Sequence, residues 1–119
     1  VAGFDVIYAI QDIKFDRTEG LYSIPAVFGP RAARIAAVLM HAAASALLLV
    51  TGKLNSLGPI FYTGLAVITL LFAAEHILAA PHLVKKNGRL INFAAYNMNQ
   101  VIGLTLIIFT VLNFINVIL

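Results

Sequence analysis

The sequence predicts an all-α integral membrane protein, a helical bundle, on the basis of its composition, three long apolar segments and the distribution of its positive charges. Of the 119 residues, 61% are hydrophobic and only 11% are charged, whereas soluble domains carry about 25% charged residues. The mean hydropathy of +0.96 is typical of membrane proteins. The chain has no Cys, which excludes disulfides and thiolate metal sites. It also has no run of Lys or Arg long enough for a nucleic-acid surface, so we expect no nucleic-acid partner.

The first predicted element is a helix over residues 1–17. It begins "VAGFDVIYA", without Met, and reads as the interior of a helix that has already started. We therefore expect this helix to be truncated and the chain to be the C-terminal part of a longer protein. A cytoplasmic loop over residues 18–30 is predicted next. It ends at Gly29-Pro30, because Pro is well suited to the first turn of a helix.

Three segments follow that are long enough to cross a bilayer, which needs about 20 apolar residues. They are predicted over residues 32–50, 60–80 and 93–119. The polar segments "TGKLNSLGP" and "KKNGR" separate them. The predicted bundle therefore has one truncated helix and three transmembrane helices.

The positive charges orient these helices. Because successive spans alternate direction, seven of the eight basic residues fall on one side, namely Lys14, Arg17, Arg31, Arg34, Lys85, Lys86 and Arg89. Lys53 falls on the other side. Positive charge concentrates on the cytoplasmic side of membrane proteins, so we expect the first loop to face the cytoplasm.

An acidic stretch, "YAIQDIKFDRTEG", interrupts this apolar chain and holds three of its five carboxylates. On one continuous helix, four polar residues would share an arc of about 80°: Asp5, Tyr8, Asp12 and Asp16. Carboxylates near a membrane usually face a cavity or a partner, although a solvated face is the simpler alternative. Oxygen ligands without Cys or His suit Mg²⁺, which commonly binds carboxylates together with substrate phosphates. The pattern therefore indicates a site that binds a diphosphate through Mg²⁺, and Arg17 could bind phosphate oxygens directly.

The stretch from Gly3 to Gly29 resembles the second aspartate-rich motif of the UbiA superfamily of intramembrane prenyltransferases, especially its 4-hydroxybenzoate branch. The matching positions are Asp5, Tyr8-Ala9, Asp12, Asp16, Gly20, Ser23 and Phe28-Gly29. The resemblance implies a nine-helix fold, of which this chain would be the C-terminal part. The family's first aspartate-rich motif does not occur in these residues, so its helices would lie upstream.

The resemblance also implies a reaction: Mg²⁺-dependent transfer of a polyprenyl group from its diphosphate to an aromatic acceptor in quinone biosynthesis. Asp12 and Asp16 would hold Mg²⁺, while Asp5 and Tyr8 would line the same cavity. Lys14 and Arg17 would assist the leaving diphosphate. The enzyme would lie in a bacterial or archaeal-type inner or plasma membrane, with its active-site loop in the cytoplasm. The fragment alone would be inactive.

Two alternatives remain open from the sequence. Within the superfamily, the acceptor could be dihydroxynaphthoate, homogentisate or a glycerol phosphate lipid. Outside it, a cation-coupled transporter fragment would also carry acids in a membrane.

Several polar residues lie inside the apolar segments: His41, Glu75, His76, Asn92 and Asn99. We expect His41 to pack or to form a hydrogen bond. For Glu75 and His76, with His82 beyond them, snorkelling or an interhelical hydrogen bond is favoured over a metal site. For Asn92 and Asn99, contact between helices is favoured over contact with substrate.

Overall fold

The computed structural model describes residues 1–82 and 89–118, and every regular element within these ranges is helical. In chain order the elements are α1 (Ala2–Tyr8), α2 (Ile13–Thr18), α3 (Ile24–Leu54), α4 (Pro59–Leu78), α5 (Arg89–Asn92), a π-helix (Phe93–Asn97) and α6 (Met98–Ile118). The predicted all-α class is therefore confirmed.

Three helices are long and apolar enough to cross a membrane: Ile24–Leu54, Pro59–Leu78 and Met98–Asn116. Each overlaps one of the three predicted spans, although the first begins eight residues before its predicted start and the third five residues after it. Many of their large apolar side chains point outward, such as Leu39, Leu70 and Ile107. Such outward-facing apolar side chains suit contact with lipid or with further helices.

The helix predicted over residues 1–17 is two helices in the structure. α1 ends at Tyr8, and the chain then tightens through hydrogen bonds between residues three apart, including Gln11 N to Tyr8 O at 3.0 Å and Asp12 N to Ala9 O at 3.2 Å. This spacing replaces the four-residue spacing of an α-helix. The 100° progression used to place the four polar residues on one arc therefore does not hold across the turn.

The loop predicted over residues 18–30 is also shorter than expected, because α3 already begins at Ile24. Ser23 is its N-cap, and the Ser23 side chain accepts a hydrogen bond from Ala26 N. A kink follows at Gly29, whose φ of 84° and ψ of 166° are not helical. The residue before a proline is driven towards extended ψ, and the positive φ suits glycine. The 25 residues after Gly29 reach roughly 37 Å at 1.5 Å per residue, enough to cross a bilayer.

Two apolar clusters hold α1 against the spans. In the first, Ile7 packs against three small buried residues, namely Ala37, Ala79 and Ala94. In the second, Phe4 packs against larger buried side chains, namely Ile68, Phe72, Met98 and Ile102. Small residues let membrane helices approach closely. α1 is thus fixed on both sides, and its polar residues are held in place.

At the opposite end of the bundle, a buried amide links α4 to α6. Asn113 is only 2% exposed, and its Oδ1 accepts a hydrogen bond of 2.8 Å from Gly58 N. This satisfies a donor at the start of α4 that the helix itself leaves unpaired.

Candidate functional site

An open polar cavity of about 610 Å³ lies where α1 meets the start of the last helices. Asp5 and Tyr8 line it from α1. The opposite wall carries four further polar or aromatic side chains: Asn92, Tyr96, Asn97 and Asn99. Asp5 and Tyr8 thus line one cavity, while the prediction that they share it with the metal ligands and act in it stays a prediction.

The π-helix Phe93–Asn97 shapes this opposite wall. Its wider turn changes the register between α5 and α6, and single π-turns of this kind are frequent at functional sites. The sequence pointed to Asn92 and Asn99 but missed Tyr96. The stretch "FAAYN" carries no residue pattern that distinguishes a π-helix from an α-helix, so no sequence signal was available.

Asp16 is paired with Ser23 instead of sharing the cavity of Asp5. Ser23 Oγ donates a hydrogen bond of 2.5 Å to Asp16 Oδ2 and accepts another of 3.2 Å from Ala26 N. Asp16 is 8% exposed. The hydroxyl therefore does two things: it caps α3 and fixes one oxygen of the carboxylate.

Asp12 lies at the N-cap position of α2 and is exposed. Its backbone oxygen accepts a 2.8 Å hydrogen bond from Asp16 N, so the two acids are one helical turn apart. Within residues 1–82 and 89–118, the Asp12 carboxylate accepts no side-chain hydrogen bond. Its oxygens therefore remain available to a ligand.

The two basic residues of the motif differ in their surroundings. Arg17 Nε donates a 2.9 Å hydrogen bond to Ala26 O, which joins α2 to the first turn of α3. Lys14 is exposed, and among the described residues it forms no salt bridge. The structure thus gives Arg17 a structural contact in addition to its predicted phosphate role, while Lys14 is held by no such contact.

In the described part of the chain, no group of three or more His, Asp or Glu side chains is arranged to hold a metal ion. The four predicted residues are instead divided between two neighbouring places. Asp5 and Tyr8 face the polar cavity, whereas Asp16 is paired with Ser23 and Asp12 lies at the turn between. The predicted metal, catalytic and diphosphate roles therefore stay predictions.

An apolar cavity of about 400 Å³ adjoins the polar one. Its walls include Phe4 of α1 and several apolar side chains of the spans, among them Ala44, Leu48, Ile68, Phe72, Ile102 and Leu106. Asn99 lines both cavities. The polar cavity and the apolar cavity thus meet at the Asn99 side chain.

The polar residues inside the spans lie together. His41 Nδ1 is 3.1 Å from His76 Nε2 and 3.6 Å from Glu75 Oε2. Glu75 is fully buried, so it does not snorkel. The interhelical hydrogen bond expected of His41 and His76 is confirmed, and His82 is exposed.

One contact supports the antiparallel arrangement used to count the charges. Arg34 Nε donates to Ala79 O at 3.4 Å, so the start of the α3 span lies beside the end of α4. Lys85 and Lys86, on which the count also depends, lie outside the described residues.

Comparison with known proteins gives the family. The model of the UbiA prenyltransferase family matches residues 1–99. Two curated relatives are the 4-hydroxybenzoate octaprenyltransferases of Francisella tularensis subsp. novicida strain U112 and subsp. tularensis strain SCHU S4. Each is 30% identical over 112 residues, which is 94% of this chain and 37% of the relative.

The chain thus spans little more than a third of the length of these relatives, and no solved structure matches it significantly. The family match nevertheless covers the predicted motif, the helix α1 that lines both cavities, and the first two membrane-spanning helices. The chain belongs to the UbiA prenyltransferase family.

Proposed function

We propose that this chain is the C-terminal part of a membrane enzyme that transfers a polyprenyl group from its diphosphate to an aromatic acceptor in quinone biosynthesis. The observation that carries the proposal is the junction of the polar and apolar cavities at Asn99. A polyprenyl diphosphate has the same two parts, a charged head and a hydrocarbon tail. Membership of the family favours this reaction over the transport of a cation.

The apolar cavity suits the first part of the prenyl tail. Phe4, Phe72 and Ile102 are buried apolar side chains in its wall. Such walls exclude water, which would otherwise capture a reactive allylic cation. The tail would continue along the outer faces of the spans or against helices supplied from upstream.

The donor set of the motif fits Mg²⁺. Asp12 offers exposed carboxylate oxygens, and Asp16 keeps one oxygen besides the one bound to Ser23. Mg²⁺ commonly takes one or two carboxylates and completes its shell with water and substrate phosphates. When bound, the ion would neutralise the charge that develops on the departing diphosphate. Arg17 and Lys14 are the proposed partners of the phosphate oxygens.

The reaction breaks the bond between the first prenyl carbon and the diphosphate oxygen, and the diphosphate keeps the electron pair. A ring carbon of the acceptor then bonds to that prenyl carbon, and the ring loses a proton to the released diphosphate or to water. We assign to Asp5 and Tyr8 the stabilisation of the allylic cation, because a carboxylate and an aromatic face both attract positive charge. The two residues line the cavity in which the ring would meet the cation.

The remaining part of the protein would complete the site. The relatives are nearly three times longer than the matched segment, and the exposed faces of the spans leave room for further helices. We propose that upstream helices supply a second set of acids, and that the loop bearing Asp12 and Asp16 lies in the cytoplasm.

The test is an acceptor panel with the full-length protein in membranes. Polyprenyl diphosphate and Mg²⁺ are supplied with 4-hydroxybenzoate, dihydroxynaphthoate, homogentisate or glycerol phosphate lipid, and products are identified by mass spectrometry. We expect prenylated 4-hydroxybenzoate to dominate. A product on another acceptor would revise the substrate only, whereas no prenylated product on any acceptor would overturn the proposal.

A further inference from the structure

The three titratable side chains inside the spans form a buried cluster that the proposed reaction does not use. His41 of α3 lies within hydrogen-bonding distance of His76 and within ion-pair distance of Glu75, both on α4. None of the three lines either cavity. Polar and ionisable groups are costly inside a membrane and usually mark a function.

The imidazole of His41 is held firmly on one side. Its ring stacks on Phe72 with centroids 4.1 Å apart and planes 13° apart. Its Nδ1 faces His76 and Glu75. The stack on Phe72 and the hydrogen bond to His76 restrict the ring on this side, whereas the 3.6 Å separation from Glu75 Oε2 is an ion-pair distance and no hydrogen bond.

The other side of the ring is the surface on which α1 rests. Phe4 contacts it with ring centroids 4.8 Å apart. At Gly3 there is no room for a side chain, because an added Cβ would collide with three atoms at the far end of the ring, Nε2, Cδ2 and Cε1. Gly3 thus lets the backbone of α1 approach the ring directly.

This contact lies close to the proposed site along the chain. Asp5 is two residues beyond Gly3 on the same seven-residue helix, and Tyr8 is its last residue. Over so short a helix, a shift at Gly3 displaces both side chains. Misplacement by about 1 Å can cost a hundredfold in rate.

We propose that His41 is a positioning residue, which the cluster with Glu75 and His76 holds rigid and which sets the position of α1 through Gly3. This rests on the proposed function only for its kinetic consequence. The alternative is that the cluster merely joins α3 to α4, in which case it contributes stability without placing α1.

The variants follow from the ring atoms involved. Gly3→Ala adds the colliding Cβ. His41→Asn removes Nε2, the ring atom nearest to the added Cβ, together with Cε1, and keeps an amide whose two terminal atoms lie near the positions of Nδ1 and Cδ2. Gly3→Ala combined with His41→Asn therefore relieves the collisions with Nε2 and Cε1, and a small rotation of the amide clears the remaining one, while a partner for His76 is kept. Gly52→Ala is the matched control, because its Cβ would meet Phe61 at 2.7 Å, away from α1.

The first measurement does not depend on activity. Gln11, in the turn after α1, donates a 2.8 Å hydrogen bond from Nε2 to Asn92 Oδ1 in the wall of the polar cavity. A cysteine pair, Gln11→Cys with Asn92→Cys, therefore reports the distance between the end of α1 and that wall. The chain has no Cys of its own. In the full-length protein, with upstream cysteines replaced, we expect Gly3→Ala to slow cross-linking of these two cysteines by a short bifunctional thiol reagent roughly tenfold in the folded fraction.

The same measurement on the double variant should return to near the original rate, and Gly52→Ala should not change it. Equal cross-linking in Gly3→Ala and the unaltered chain would overturn the proposal. A double variant no better than Gly3→Ala alone would also overturn it, because the two positions would then act independently.

The second measurement is kinetic and uses proteins without the added cysteines. Gly3→Ala should lower kcat of prenyl transfer roughly tenfold or more with little change in KM for the diphosphate. Adding His41→Asn to Gly3→Ala should restore most of the lost kcat. A loss in proportion to the unfolded fraction only would contradict positioning. If the unaltered protein has no prenyltransferase activity, the proposed function fails, while cross-linking still decides the role of His41.

Discussion

At the scale of single residues, the hydroxyl of Ser23 connects the proposed metal ligand to the rest of the fold. It donates to Asp16 and accepts from the first turn of α3. A short hydrogen bond to a carboxylate fixes its orientation and leaves the second oxygen free for another ligand. Ser23 was only a matching position in the motif, and its contact with Asp16 gives that position a physical reason.

Replacing Ser23 tests this connection. Ser23→Ala should lower stability by about 1 kcal/mol through the lost cap, and should raise the Mg²⁺ concentration for half-maximal activity roughly tenfold, which is about 1.4 kcal/mol. Ser23→Thr keeps the hydroxyl and should retain both properties. Thermal unfolding and Mg²⁺ titration of the full-length protein measure them. A Thr variant as impaired as the Ala variant would contradict the role of the hydroxyl.

The two acids of the motif should differ in their effect on stability. Asp12→Asn and Asp16→Asn should each lower turnover by two or more orders of magnitude, as expected for metal ligands. Only Asp16→Asn should also lower stability, by about 1–2 kcal/mol, because it is buried and its hydrogen bond is charge-assisted. Glu19→Gln, at an exposed carboxylate on the same segment, is the control. Near-normal turnover in both Asn variants would refute the ligand assignment.

At the scale of elements, the sequence predicted the spans well and the breaks between helices poorly. Long apolar runs fix the spans because every residue contributes to the same signal. The turn over residues 9–12 and the π-helix depend on which backbone hydrogen bonds form, and neither segment contains Pro or Gly. The predicted arc of four polar residues failed at that turn. Tyr96 was missed because the π-helix has no sequence signal.

Whether the kink at Gly29 requires glycine can be tested by comparing its replacement with the replacement of a glycine inside a helix. Gly29→Ala forces a side chain into positive φ, which costs about 1–2 kcal/mol, although no atom lies within 4 Å of the added Cβ. Gly103 is helical and equally open, so Gly103→Ala should be neutral or stabilise by up to about 1 kcal/mol. Thermal unfolding in detergent compares the two. Equal effects would show that the kink does not require glycine.

At the scale of the whole molecule, the three spans place the acidic segment at one end of the bundle and Lys53 at the other. Lys53 is the one basic residue predicted on its side of the membrane. Arg34 beside Ala79 supports this arrangement. The fold class followed from composition because a bilayer admits only helices and closed β-barrels, and continuous apolar runs of about 20 residues are typical of helices. The site was only partly predictable, since the cavity arises where α1, α5 and α6 meet, and such contacts between distant segments leave no local pattern.

Cysteine labelling tests the orientation. Arg31→Cys should react with an impermeant maleimide only from the cytoplasmic side, and Lys53→Cys only from the opposite side, because positive charge is retained in the cytoplasm. Intact and inverted vesicles separate the two cases. Reaction of Lys53→Cys from the cytoplasmic side alone would reverse the orientation and place Asp12 and Asp16 outside.

The most direct test of the account is whether this chain supplies one part of a prenyltransferase site that upstream helices complete. Residues 1–119, the upstream part and both together are expressed in membranes and supplied with polyprenyl diphosphate, Mg²⁺ and 4-hydroxybenzoate. One carboxylate pair binds Mg²⁺ without enclosing it, so we predict prenylated product only when both parts are present. Product from residues 1–119 alone would contradict the account, as would the absence of product from the full-length protein.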